Sequence, residues 1–163
     1  MKPDPKLNRI APDEMPDDIA SAWTRSMDLR GDATFFEVFA NHPELYRWYV
    51  NQFYGDVFRG GKVAQRYKEL LRLRLSTLHG CRFCNQGNRL DALEAGLTEA
   101  QIAAFDRPES GPFTPAELAV LALGAELALT QPAGILSEAL HTQLAAHFDD
   151  AQILELGLVG GIL

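Results

Sequence analysis

Cys81 and Cys84 stand three positions apart as a C-x-x-C pair, and they are the only cysteines in the 163 residues of this chain. Two sulfurs at that spacing can close a disulfide on each other or ligate a metal. Upstream lies Glu69, in the run Glu69-Leu-Leu-Arg-Leu-Arg-Leu-Ser-Thr-Leu-His79-Gly80-Cys81-Arg82-Phe83-Cys84. Gly80 ends one helical pattern and another resumes just after it, so the cysteines fall at a helix start. Unpaired N–H groups and the positive end of the helix dipole there favour thiolate. A free thiol of pKa about 8.5 is only about 3% ionised at pH 7, and lowering that pKa by about 1.5 units takes roughly 2 kcal/mol. Arg82, between the cysteines, and His79, just before them, are further cations that can contribute. Redox chemistry is the leading expectation.

Cys81, Cys84 and Asn88 follow i, i+3, i+7 and share one helix face, which Asp91 continues. Gly87 permits a neighbouring helix to approach closely. On the preceding helix Glu69 shares a side with Arg66, Arg72, Leu73 and Ser76, whereas Leu71, Leu75 and Leu78 form the apolar side. Spacing alone reads Glu69 as a surface acid paired at i±3 with Arg66 or Arg72.

Zinc is the main chemical competitor. A structural zinc site takes four ligands, and His42, His79, His141 and His147 show no ligand spacing with the single cysteine pair. An all-cysteine iron–sulfur cluster needs more thiolates than the chain has. A purely structural disulfide is disfavoured, because so short a loop removes little chain entropy. No metal and no cofactor are expected.

The length suits one domain over residues 1–163, and 47% apolar residues suffice for a core without staples. The start, Met-Lys-Pro-Asp-Pro-Lys, lacks the apolar run of a secretory leader. The longest apolar stretch, Ile153 to Leu163, is too short to cross a bilayer and contains Glu155. A cytoplasmic protein without membrane association is expected, where a C-x-x-C pair is more often catalytic or metal-binding than structural. The net charge of −7 conceals an asymmetry. From Arg59 to Arg89 stand eight basic residues (Arg59, Lys62, Arg66, Lys68, Arg72, Arg74, Arg82, Arg89) and one acid, Glu69. That basic segment either gives the thiols a positive field or pairs with acidic neighbours. The acidic total and the lack of a recognition motif argue against nucleic acid.

The elements that must position these residues all read as helix. Helical spacing predicts a first group over residues 16–58, with elements from Pro16 to Gly31, Thr34 to Phe39 and Pro43 to Phe58. A redox pair follows over 62–95, Lys62 to His79 and then the cysteine helix to Ala95. Thr98-Glu-Ala-Gln101 is a capping box for a short helix to Phe105. A loop runs from Asp106 to Phe113. The C-terminal group spans 114–163: a long apolar helix from Thr114 to about Thr130, then helices opened by Ser137 and by Asp149 or Asp150. No segment shows a strand period. Nine of the fifteen aromatics lie between Phe35 and Phe58. They form either a hydrophobic substrate pocket or core and subunit interface. The small residues near Leu118 to Ala128 fit an oligomer. The abrupt apolar end at Leu163 implies either a shortened chain or a last helix that docks on a partner subunit.

An acid ahead of a Gly-Cys-x-x-Cys helix start, with Arg72-Leu-Arg-Leu-Ser and Glu94-Ala-Gly-Leu-Thr98 around it, resembles the AhpD-like branch of the carboxymuconolactone decarboxylase superfamily. The resemblance is closest from Lys62 to Phe105. It implies an all-α, AhpD-like helical bundle assembled as a homo-oligomer, a trimer or hexamer. It also implies cysteines that cycle between dithiol and disulfide, acting on a hydroperoxide or a disulfide substrate. A thiol electron donor, protein or small dithiol, would return the electrons. By position Cys84 corresponds to the peroxide-attacking thiol, Cys81 to its resolving partner and Glu69 to a proton acceptor. Helix-end electrostatics favour Cys81 instead, so both assignments stand. The family usually places histidine at the position of Asn88, and a known member has one at that of Phe83. Asparagine holds a water but takes no proton near neutral pH. His79 either substitutes or serves as a helix-end cation.

Three function classes follow: a thiol-dependent peroxidase or disulfide reductase, a non-catalytic redox-sensing or binding protein on the same scaffold, and a lactone decarboxylase, which would need no thiols.

Overall fold

The computed structural model describes residues 5–105, 107–128 and 136–163, and every regular element among them is helical. The opening Met1 to Asp4, the loop residue Asp106 and the expected helix end at Thr130 lie outside the described residues. The chain divides into two compact units between Asp56 and Val57.

The first unit holds helices α1 (Asp17–Arg30), α2 (Thr34–Phe39) and α3 (Pro43–Trp48). Met15, Ile19, Ala22, Ala40 and Tyr46 form its buried cluster, with Trp23, Phe36 and Phe39 packed against it. The expected single α-helix from Pro43 to Phe58 is corrected: α3 gives way to a π-helix, Tyr49–Arg59. The i→i+5 winding brings residues five apart onto one side. The Tyr49 and Tyr54 rings accordingly meet edge to face at 5.0 Å, while Tyr49 also stacks on Phe53 at 5.6 Å. Within this unit the aromatics pack on one another, and Phe53 is buried.

The second unit is organised around α4 (Gln65–Leu78). Against it pack α5 (Arg82–Glu94), α7 (Pro115–Ala128) and α9 (Asp150–Ile162). Helix α6 (Glu99–Ala103) links α5 to α7, and α8 (Glu138–Ala145) packs on α7 and α9. Leu70, Leu71, Leu73 and Leu75 of α4 are buried with Val120, Leu121 and Leu123 of α7 and Leu156 and Val159 of α9. Gly124 lets α7 lie close to α4: a Cβ there would come within 3.0 Å of the Arg74 side chain and 3.2 Å of Leu71.

Helix α4 begins at Gln65, not at Lys62 as the periodicity predicts. The Lys62 and Val63 N–H groups donate instead to the Glu155 carboxylate of α9, at 2.6 and 3.1 Å. Lys68, fully buried, donates from Nζ to Glu155 Oε1 and to the Val57 carbonyl, each at 2.9 Å. A buried lysine is tolerable only with such partners. Capping boxes open α6 at Thr98 and α9 at Asp149, and Ser137 caps α8.

Candidate redox site

The turn between α4 and α5 follows from local chemistry. His79 is the C-cap of α4, and Gly80 follows it with φ of +65°. The Gly80 N–H donates to the Thr77 carbonyl and the Cys81 N–H to the Ser76 carbonyl, at 3.1 and 3.0 Å. These are the two bonds of a Schellman motif, which needs a left-handed residue at the glycine position. Cys81 leaves that turn in extended conformation and becomes the N-cap of α5. Its Sγ accepts the Cys84 backbone N–H at 3.3 Å. One residue thus completes the cap of one helix and opens the next.

Cys81 and Cys84 are joined in a disulfide, with Cα atoms 5.3 Å apart. Both are half-buried, as are Phe83 and Asn88, whereas Arg82 and His79 are exposed. The C-x-x-C spacing and the turn together place the two sulfurs within bonding reach. Among the described residues, hydrogen bonds tie neither the Asn88 nor the His79 side chain to the cysteines or to Glu69.

The reading of Glu69 as a surface acid is corrected. Its side chain is 5% exposed, because α4 is covered by helices on several sides and little of its circumference faces water. Gln65 Nε2 donates to Glu69 Oε1 at 2.8 Å, and Arg72 Nη2 donates to Oε2 at 2.5 Å. The same Nη2 donates to Asp91 Oδ2 on α5 at 2.6 Å. The Arg72 guanidinium lies 5.0 Å from the centre of the Phe58 ring, near enough for a cation–π contact. Glu69 is therefore tied to the cysteine helix through Arg72 and Asp91. Burial pushes the Glu69 carboxyl above the usual range; Arg72 and Gln65 pull it down, and the nearby Asp91 charge adds to the rise. A carboxyl displaced upward is a better proton acceptor near neutral pH than an ordinary one.

The spacing rules offer Arg66 or Arg72 as the partner of Glu69, but not what covers the pair. Asp91 is visible only as the continuation of the Cys81–Cys84–Asn88 stripe, and Gln65 as the residue one turn before Glu69. Their roles depend on which side of α4 meets α5.

Four of the eight basic residues in the segment are engaged in ion pairs. Arg66 bonds Glu117 of α7, Lys68 bonds Glu155, Arg72 bonds Glu69 and Asp91, and Arg89 bonds Glu99. The geometry therefore favours pairing with acidic neighbours over a free positive field. Several of these pairs are buried between helices instead of lying on a solvated face. Among the described residues no group of three or more His, Cys, Asp or Glu side chains is placed to hold a metal, and no helix is long and apolar enough to cross a membrane.

Comparison with known proteins supplies the wider setting. A stretch of 93 residues is 30% identical to the uncharacterized protein YdfG of Bacillus subtilis (strain 168), covering 56% of this chain and 63% of that protein. The chain also resembles, at a TM-score of 0.65 and 17% identity, the crystal structure of an alkylhydroperoxidase AhpD core, an uncharacterized peroxidase-related protein from Ralstonia eutropha JMP134. That alignment covers 99% of this chain and 85% of the other, and at this identity it shows a shared all-helical fold. The sequence model of the carboxymuconolactone decarboxylase family matches residues 43–126, just over half of the chain and inclusive of Glu69, Cys81 and Cys84. With α4, the Gly80 turn and the capped cysteine helix all inside that stretch, the chain belongs to the carboxymuconolactone decarboxylase family.

Proposed function

We propose that this protein is a thiol-dependent peroxidase or disulfide reductase that works by opening and closing the Cys81–Cys84 bridge. The observation that carries this reading is the bridge itself. It sits at the capped start of α5, on the helix packed against the one that buries Glu69.

In the peroxidase direction the Cys84 thiol gives its proton to Glu69. The thiolate attacks the outer oxygen of a hydroperoxide, forming Cys84 sulfenic acid and releasing an alkoxide, which takes up a proton to become an alcohol. The Cys81 thiolate then attacks the Cys84 sulfur, the disulfide forms, and the sulfenic oxygen leaves with a proton as water. An external dithiol, protein or small molecule, restores the pair by two exchanges and is itself oxidised to a disulfide.

The N-cap geometry suits this division of labour. The Cys84 N–H stabilises negative charge on Cys81 Sγ, so Cys81 is the better resolving nucleophile. It is also the better leaving group when the reductant attacks Cys84. His79 stands exposed at the end of α4, just ahead of the cysteine turn.

Consumption of an organic hydroperoxide in the presence of a small dithiol tests the reading. Loss of turnover is expected in both Cys81→Ser and Cys84→Ser variants, together with a gain of two hydrogens in intact mass when the parent is reduced. Equal turnover in parent and variants would remove the peroxidase reading.

Asn88 favours a second reading. A side chain that takes no proton stands where the family usually has histidine, which fits a redox sensor that changes state without fast turnover. A bridge that cycles in mass but consumes no peroxide is the outcome that separates it. A decarboxylase acting on a lactone, by contrast, leaves both thiols without a role.

A further inference from the structure

Glu69 has an unusual setting for a group that must take up a proton. A buried carboxylate facing one buried arginine is held ionised by it and is a poor base. Here the arginine does not belong to Glu69 alone. A single nitrogen, Arg72 Nη2, donates to Glu69 Oε2 at 2.5 Å and to Asp91 Oδ2 at 2.6 Å. Two carboxylate oxygens thus lie within one hydrogen-bond length of the same nitrogen, with one positive charge between two negative ones. The two acids are not equivalent. The Glu69 side chain is 5% exposed and the Asp91 side chain 49%.

We propose that Asp91 is a positioning residue for Glu69: by sharing Arg72 it keeps the Glu69 carboxylate oriented toward α5 while leaving it basic enough to accept a thiol proton. This rests on the redox reading of the site. The physical sequence is short. Like charges so close disfavour double ionisation. Asp91 stands half in water. Glu69, shielded from water, takes up the proton. Asp91 lies one helical turn beyond Asn88 on the cysteine face of α5, so it supplies from a neighbouring position an influence on Glu69 that Asn88, being neutral, cannot exert.

Two other acids that packed helices bring to α4 are already engaged. Glu117 of α7 accepts from Arg66, and Glu155 of α9 accepts from Lys68. On α4 itself, Arg66, Lys68 and Arg72 are the bases nearest Glu69 in sequence. Of these Arg72 is hydrogen-bonded to it, while Arg66 and Lys68 bond those two acids.

The test is a carboxyl titration of Glu69 in the full chain, followed by infrared difference spectroscopy and assigned by the band that Glu69→Gln removes. Asp91→Asn removes the second negative charge beside Glu69, so the Glu69 midpoint should fall by about half a pH unit or more. Asp91→Glu should restore the parental midpoint. Peroxide turnover measured in parallel should show the acid limb of its pH profile moving the same way. An unmoved midpoint in a folded Asp91→Asn protein would overturn the assignment even if peroxide turnover is intact. A shifted midpoint in a protein that consumes no peroxide supports the coupling and instead removes the peroxidase reading.

Discussion

The Cys84 backbone N–H points at Cys81 Sγ from 3.3 Å, so the first sulfur of the pair is the helix cap and the second lies inside the first turn. The two sulfurs are chemically unequal for that reason. A capping sulfur receives the N–H groups of the first turn, and the dipole adds to their effect.

That inequality predicts different thiol reactivity. In the reduced protein, Cys84→Ser, which leaves Cys81 alone, should be alkylated several-fold faster near neutral pH than Cys81→Ser, which leaves Cys84 alone. Rates measured with a neutral alkylating agent between pH 5 and 9 check this. Equal rates would mean that the cap does not activate Cys81.

Gly80 predicts a local stability loss. Nothing lies within 4 Å of a Cβ built there, so Gly80→Ala meets only the strain of its positive φ. The expected cost is about 1 kcal/mol, read from urea unfolding. A neutral substitution would show that the turn relaxes without its left-handed residue.

Lys68 and Glu155 predict an asymmetric pair of losses. Glu155→Ala strands the buried ammonium and also leaves the Lys62 and Val63 N–H groups without their acceptor. A loss of about 3 kcal/mol or more is expected. Lys68→Met removes the cation, but leaves Glu155 with two N–H donors and some contact with water, so its loss should be smaller. Unfolding midpoints in the reverse order would contradict this account of the network.

Glu117 and Glu69 predict opposite pH trends. Burial pushes Glu117 up, but the Thr114 N–H and hydroxyl and the Arg66 guanidinium outweigh it and hold the carboxyl below its ordinary 4.5. Its stabilising contribution is therefore complete above 4.5 and is lost as the pH falls through the lowered folded value. The stability gap between parent and Glu117→Gln should narrow on acidification. Glu69 is displaced upward from the same 4.5, so its contribution is complete below 4.5 and fades as the pH rises through the raised folded value. Relative to Glu69→Gln, the parent should lose stability over that window. Denaturant unfolding across pH 3 to 8 reads both.

Much of the site is legible in the chain because its signals are local. Gly80 followed by Cys81 marks a helix end and a helix start, Thr98 to Gln101 marks a cap, and the i, i+3, i+7 spacing puts Cys81, Cys84 and Asn88 on one face. Each depends on residues within a few positions of one another, where backbone geometry alone dictates the outcome. The π-winding of Tyr49–Arg59 is not legible in the same way, because an amphipathic stretch this short fits i→i+4 and i→i+5 winding about equally well. The start of α4 differs from the periodicity because the competitor for the Lys62 and Val63 N–H groups is Glu155, far along the chain.

Sequence by itself determined that this chain is helical, that its two thiols face the same way at a helix start, and that one acid precedes them on the neighbouring helix. Only the tertiary structure decided what kind of acid that is. Glu69 would be an ordinary surface carboxylate on an isolated helix. Packing of α4 removes its water, and Asp91 of α5 takes a share of its arginine, so its proton affinity is set by contacts between helices that no local pattern encodes.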